Sequence, residues 1–242
     1  MVLHFLVDEA TAQPGETIVL AGAEAHHAAV VRRVRAGEAV TVGDGRGVRL
    51  AGAVESVEPR EVVVRVSARE DVAAPAPRLT LVQALAKGDR DELAVQAATE
   101  LGIDTIVPWQ AARSVSRWDS AKAEKGRRRW AAIVREAAKQ AHRAWVPEVA
   151  PVETTRQLAR RAEASRLLVL EPTADVALSS VSLDGGRDLV LVVGPEGGIA
   201  SEELATLRDA GATLVRLGDT VLRTSTAGPA AIAVVSATLG RW

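Results

Sequence analysis

From Leu79 onward, short apolar runs alternate with helical stretches, and no other feature of this chain restricts its fold so strongly. The apolar runs are Leu79–Leu85, Thr105–Val107 (stopped by Pro108), Arg166–Leu170, Asp188–Val193 and Thr213–Leu217. Between and after them, helical patterns cover Asp89–Leu101, Ser120–His142, Thr155–Ala164, Ser201–Ala210 and Thr226–Leu239, the first ended by Gly102. Such alternation predicts an α/β domain with a largely parallel sheet covered on both faces.

The first 72 residues have another texture. Val-rich runs at Thr17–Leu20, Ala39–Val42, Val48–Val57 and Val62–Val66 are separated by glycines, the spacing of a small β-barrel or sandwich. A single helix is expected over His26–Arg35. Two prolines in Ala73-Ala74-Pro75-Ala76-Pro77 then remove backbone donors and bias their predecessors away from helix, marking 73–78 as a linker. The expected domains are therefore residues 1–72 and 79–242. With 48% hydrophobic residues, the 242-residue chain can bury two cores.

Several function classes fall away early. The chain has no cysteine, so thiolate metal sites, disulfides and cysteine nucleophiles are excluded. His26 and His27 are adjacent and lack carboxylates at ligand spacing, which leaves them structural or RNA-facing and predicts no metal. The start of the chain lacks the pattern of a signal peptide, and its apolar runs are too short to span a bilayer, so a soluble cytoplasmic protein is expected. The net charge of −1 hides local asymmetry. Arg32 and Arg33 form one basic knot, and Arg128, Arg135 and Arg143 belong to a basic run on the long helix. These are either phosphate-binding faces or an ordinary solvated helix surface.

Two segments carry the chemistry. Leu189–Val193 runs into Gly194-Pro195-Glu196-Gly197-Gly198, after which Ser201 is expected to cap a helix with an acidic first turn. The spacing fits neither a P-loop nor the dinucleotide fingerprint, and the acidic turn would repel a phosphate. In the second segment, Leu217-Gly218 leads through Asp219–Val221 into Leu222-Arg223-Thr224-Ser225-Thr226-Ala227. Thr224 or Thr226 is expected to cap the last helix, with Pro229 in its first turn. Two such loops at neighbouring strand ends form the cleft in which open α/β sheets bind ligands.

Together these motifs closely resemble those of the RsmE family, ribosomal small-subunit RNA uridine-N3 methyltransferases of the SPOUT class. Lys87-Gly88, Ala98-Thr99-Glu100-Leu101-Gly102, Arg113-Ser114-Val115, and Glu136 with Gln140 and Arg143 add to the match. The N-terminal segment with His26-His27 and Arg32-Arg33 is similar to that family's PUA-like RNA-binding domain. Three positions depart from the family pattern: Thr220 replaces a basic residue, Ser225 an acidic one, and Ala97 a frequent lysine.

The resemblance implies a C-terminal domain with a deep trefoil knot, acting as a homodimer on 16S ribosomal RNA or the small ribosomal subunit. It implies S-adenosylmethionine held by Leu170, Val193, Gly194, Pro195, Gly198, Leu217, Gly218, Leu222, Arg223, Thr224, Thr226 and Ala227, with RNA held by Arg32, Arg33, Arg113, Arg128, Arg135 and Arg143. Uridine N3 is a poor nucleophile until it loses its proton, so a base or an anion-stabilising cation is required. Arg223 is the candidate for the cation. Glu196 either removes or positions the proton, or bonds backbone amides in its own loop. A tryptophan among Trp109, Trp118, Trp130 and Trp145 is either a stacking platform for an extruded base or part of core or dimer packing. The alternative function is a non-catalytic RNA-binding protein of ribosome assembly with a vestigial pocket.

Overall fold

In the computed structural model, which describes residues 2–242, internal contacts divide the chain into two units. One comprises residues up to Ala74 together with Ala138–Val146; the other comprises Pro75–Ala137 and Pro147–Trp242. Among the described residues no helix is long and apolar enough to cross a membrane.

The first unit is a five-stranded sheet built from β1 (Leu3–Leu6), β2 (Thr17–Ala21), β3 (Ala39–Gly43), β4 (Val48–Glu58) and β5 (Glu61–Asp71). Its order is β1-β3-β4-β5-β2, antiparallel except for the β1–β3 pair. Alternate residues of the strands, among them Ile18, Leu20, Val40, Val42, Val62, Val64 and Val66, close over one core with Phe5. At Gly52, beside a register shift, a Cβ would stand 2.3 Å from the Arg65 carbonyl oxygen, so the bend of β4 requires glycine. The expected helix over His26–Arg35 begins earlier, as α1 (Gly22–His26), and continues as a π-helical turn over His27–Arg32. Burial of Ala25 and Ala28, three apart, explains the earlier start, and Arg33 ends the turn at φ 55°.

The second unit holds six strands, all parallel: β6 (Leu79–Ala84), β7 (Thr105–Trp109), β8 (Glu148–Val149), β9 (Arg166–Leu170), β10 (Leu189–Val193) and β11 (Thr213–Val215). Their order is β11-β9-β10-β6-β7-β8. Every residue of β6, β7 and β10 is buried, as expected of strands covered on both faces. On one face α2 (Arg90–Glu100) packs on α6 (Thr224–Thr238), which lies over β6 and β10. On the other, α4 (Thr155–Arg160) and α5 (Ser201–Asp209) supply Leu158 and Leu207 to a cluster with Val82, Val107, Val169 and Val192. Truncating either leucine to alanine should cost about 2–5 kcal/mol. The long helix α3 (Ser120–Gln140) carries the basic run.

Several boundaries differ from expectation for identifiable reasons. Pro108 lies inside β7 rather than ending it. Its carbonyl accepts from Glu153, and in a parallel strand the nitrogen of the same residue points to that side, where β8 has already ended at Val149. Pro229 stands beyond the first turn of α6, and Arg223, not a threonine, occupies the N-cap position. Ala200 rather than Ser201 precedes α5 as its N-cap. The long helix ends at Gln140, because His142 takes φ 55°.

That left-handed residue stacks on His4, with ring centroids 5.3 Å apart, and Trp145 donates to the Val72 carbonyl at 3.0 Å. His4 Nδ1 lies 2.8 Å from the Thr41 hydroxyl. Burial, and then the nearby His142, Arg49 and Lys139, push the His4 pKa down to about 4. An unfolded histidine titrates near 6.5, so the unfolded chain takes up the proton first on acidification. Stability should be complete above about pH 6.5 and fall, by up to about 3 kcal/mol, as the pH drops to 4. Thermal melts over that range should show the loss, and His4→Gln should flatten it.

Candidate ligand site at the carboxyl ends of the parallel strands

Leu170, Val193 and Val215 are the last residues of β9, β10 and β11, and they align in one row across the sheet. Beyond this row the chain leaves the sheet in three loops, and a cavity of about 410 Å³ opens between them. That volume falls in the ~300–1,000 Å³ range of small-molecule sites. Leu170, Val193, Ile199, Val215, Leu217, Leu222 and Ala227 supply apolar wall, while Arg90, Glu171, Glu196, Arg216 and Arg223 bring charge.

Two glycines shape the cavity differently. At Gly194 a Cβ would stand 2.6 Å from Ile199 Cγ1, so the tight return of the Gly-Pro-Glu-Gly-Gly loop depends on the missing side chain. Gly198 completes that loop at φ +73°. At Gly218, by contrast, a Cβ would meet nothing within 4 Å, although the residue lines the cavity. Internal packing does not demand glycine there, and a ligand pressing on the backbone would.

The charged groups are mostly committed to the protein itself. Arg216 donates to the carbonyls of Ala174, at 3.0 Å, and of Asp175, while its backbone bonds Val176 and Leu178. Glu171 accepts from the Thr173 hydroxyl at 2.9 Å. Glu196 Oε1 accepts from the Lys87 amide at 3.0 Å and from Arg90 at 3.1 Å. Burial alone would raise its pKa, but hydrogen bonds from its own amide, from the Lys87 amide and from Arg90 hold the carboxyl below the usual range. A carboxylate so stabilised is a weak base. Arg223 is exposed at the start of α6; its carbonyl accepts from the Thr226 and Ala227 amides, while its side chain has no hydrogen-bonding or ionic partner among the described residues.

The acidic first turn of α5 faces inward in part. Glu203 is buried and accepts from the Ala112 amide (2.9 Å), the Thr155 hydroxyl (2.6 Å) and the Ala200 amide (3.4 Å). It tethers the loop after β7 to the glycine loop, a role that Arg113 shares by donating to the Gly197 carbonyl at 3.2 Å.

Of the residues expected at a cofactor, Leu170, Val193, Gly194, Pro195, Gly198, Leu217, Gly218, Leu222, Arg223, Thr224 and Ala227 line this one cavity, as does Glu196. Thr226 does not; it is exposed on the first turn of α6. Thr220 lines the cavity; Ser225 does not, and is half-buried next to Thr224. The residues expected at RNA are distributed over both units. Arg32, Arg33 and Arg143 belong to the first; Arg113, Arg128 and Arg135 belong to the second. Trp109 and Trp130 are core residues, with Trp118 edge-on to Trp130 at 5.3 Å. Arg90 and Gln83 escape a sequence reading. For Gln83 the sequence held one signal, that it is the only carboxamide in the apolar strand β6.

A family model described as the RNA methyltransferase domain matches residues 74–236, and one described as the RNA methyltransferase PUA domain matches residues 20–67. The ribosomal RNA small subunit methyltransferase E of Mycobacterium bovis is 46% identical over 233 residues, covering 94% of this chain and 89% of that protein. This chain belongs to the ribosomal RNA small subunit methyltransferase E family. The Bacillus subtilis member is 34% identical over 91% of this chain and 90% of its own length. The Neisseria gonorrhoeae member, solved bound to S-adenosyl methionine, superposes with a TM-score of 0.87 at 29% identity, covering 98% of both chains. The family fold is thus a SPOUT-type α/β domain with a parallel sheet, joined to a PUA-like domain.

In this member of the methyltransferase E family, Gly194→Ala should overpack the loop against Ile199. The expected loss is about 1–3 kcal/mol of stability, read from denaturant unfolding, together with weakened ligand binding.

Proposed function

We propose that the protein transfers the methyl group of S-adenosylmethionine to N3 of a uridine in the 16S RNA of the small ribosomal subunit. The observation that carries this reading is a single cavity, walled by both glycine loops, whose only uncommitted charged side chain among the described residues is Arg223. The residues fit the cofactor: apolar walls suit its adenine, and the open space over Gly218 admits close approach to the backbone. Leu170, Val193, Gly194, Pro195, Gly198, Leu217, Gly218, Leu222, Thr224 and Ala227 would hold it. When bound, it supplies a methyl group on a sulfonium, an electrophile that needs no further activation.

The protein's own task is therefore to orient the uridine and to stabilise its deprotonated form. Arg223, projecting from the N-cap of α6, supplies positive charge for the imide anion that develops at N3. Glu196 serves by position: its ties to Lys87 and Arg90 hold the β6–α2 connection against the glycine loop and leave it a poor proton acceptor. RNA would be engaged by Arg32, Arg33 and Arg143 of the PUA-like unit and by Arg113, Arg128 and Arg135 of the catalytic unit. Within the catalytic unit, the segment after β9 and the loop after β11 are bonded side by side at Ala177 and Arg216, and α6 packs on the turn Leu178–Ser180. That crossing supports the trefoil threading the family resemblance implies. The working form is a homodimer in the cytoplasm.

Nucleoside mass spectrometry of small-subunit RNA should detect N3-methyluridine after incubation with the enzyme and S-adenosylmethionine. Its absence would overturn the reading in favour of an RNA-binding assembly protein. Arg223→Ala should lower kcat by about 10²-fold while cofactor affinity changes little. An unchanged methylation rate would remove Arg223 from the chemistry.

Arg90→Ala should free the Glu196 carboxylate from its ion pair without giving it a substrate proton to accept. The expected result is a higher KM for the cofactor with kcat within a few-fold, and no new ionisation in the pH–rate profile.

A further inference from the structure

Gln83 continues the row formed by Val193, Leu170 and Val215, because it pairs in register with Val193 across the β6–β10 ladder. Unlike those three, it does not line the cavity. Its side chain is fully buried on the face of the sheet that carries α6, the face from which Leu81, two residues earlier, meets Gly228. There its amide nitrogen donates to the Ala84 carbonyl at 3.2 Å and to the Thr224 hydroxyl at 2.9 Å.

The polarity of this contact is fixed. The Ala84 carbonyl can only accept, so the nitrogen rather than the oxygen of the carboxamide must face it. Thr224 Oγ1 therefore accepts from Gln83, and its own proton goes to the Gly194 carbonyl, 2.9 Å away. A directed chain, Gln83 to Thr224 to Gly194, thus joins the first residue of α6 to the first residue of the other glycine loop. Among the described residues the Gln83 oxygen is buried without a hydrogen-bond partner. A leftover buried acceptor is unfavourable for folding, so the stability of the domain alone does not account for a carboxamide here.

We infer that Gln83 is a positioning residue for the methyl-donor pocket: through the Thr224 hydroxyl it sets the spacing between the Gly194 turn and the start of α6, and so the cofactor affinity. The inference rests on the proposed function, since it takes S-adenosylmethionine as the occupant. Gln83 touches no ligand; Thr224 and Gly194, which line the cavity, pass its effect on.

Calorimetry with S-adenosylhomocysteine tests both readings separately. If the unaltered protein fails to bind, the proposed function falls and the inference with it. Given binding, Gln83→Met keeps the length of the side chain and removes both the donor and the stranded acceptor. It should leave the melting temperature within a few degrees yet weaken binding at least tenfold. Thr224→Val should weaken binding similarly, and Thr224→Ser, which keeps the hydroxyl, should restore it. The double variant Gln83→Met/Thr224→Val should be no worse than Thr224→Val alone. In ligand-free protein, hydrogen exchange at the first amides of α6 should quicken in Gln83→Met. Affinity within twofold of the unaltered protein, or additive losses in the double variant, would overturn the inference. So would a loss of affinity that merely follows a large fall in melting temperature.

Discussion

Peptide groups at the carboxyl ends of β9, β10 and β11 run out of strand partners in the same row, where Leu170, Val193 and Val215 stand side by side. Past that row the three chain segments leave the sheet together, so their peptide groups must find bonding elsewhere. Everything distinctive in the catalytic unit follows from how they do so. The first segment bonds the third through Val176, Leu178 and Arg216. The second folds back on itself because Gly194 lets Ile199 come close. The third enters α6, whose first residue reaches back to the Gly194 carbonyl. What remains between them is the cavity.

The two carboxylates of the second segment illustrate how position decides chemistry. Glu196 and Glu203 are seven residues apart on one loop-helix segment; sequence alone offers the first as a base, a positioning group or a bond to its own loop, and the second as part of an acidic turn that repels anions. In the fold each is consumed by donors from other segments, Lys87 and Arg90 for the first, Ala112 and Thr155 for the second. They act as clips between loops. Positive charge at Arg223 is then left unopposed at the cavity, which suits a reaction whose developing charge is negative.

The PUA-like unit shows the same division between local pattern and distant partnership. Its strands follow from alternating valines and its bend from Gly52. Yet the unit also gathers Ala138–Val146, a stretch far along the chain, whose His142 stacks on His4 and whose Lys139 pairs with Glu24 at 3.0 Å. Burial of His4 in this cluster carries a pH dependence that an apolar contact would not.

Much of the architecture was legible in the amino-acid order. Uninterrupted apolar runs marked strands covered on both faces, the glycine clusters marked the loops, and their joint spacing marked the family. These are local properties, set by side-chain burial and by which backbone angles a residue tolerates. Position inside elements was less legible. Pro108 continues β7 because its neighbouring strand is short, and Ala200 starts α5 because Glu203 reaches back to its amide. Only the tertiary structure decided the partners: Gln83 with Thr224, 141 residues away, and Lys87 with Glu196, 109 residues away. Hydrogen bonds between distant segments leave no periodic trace in a sequence, because either end alone reads as an ordinary polar residue.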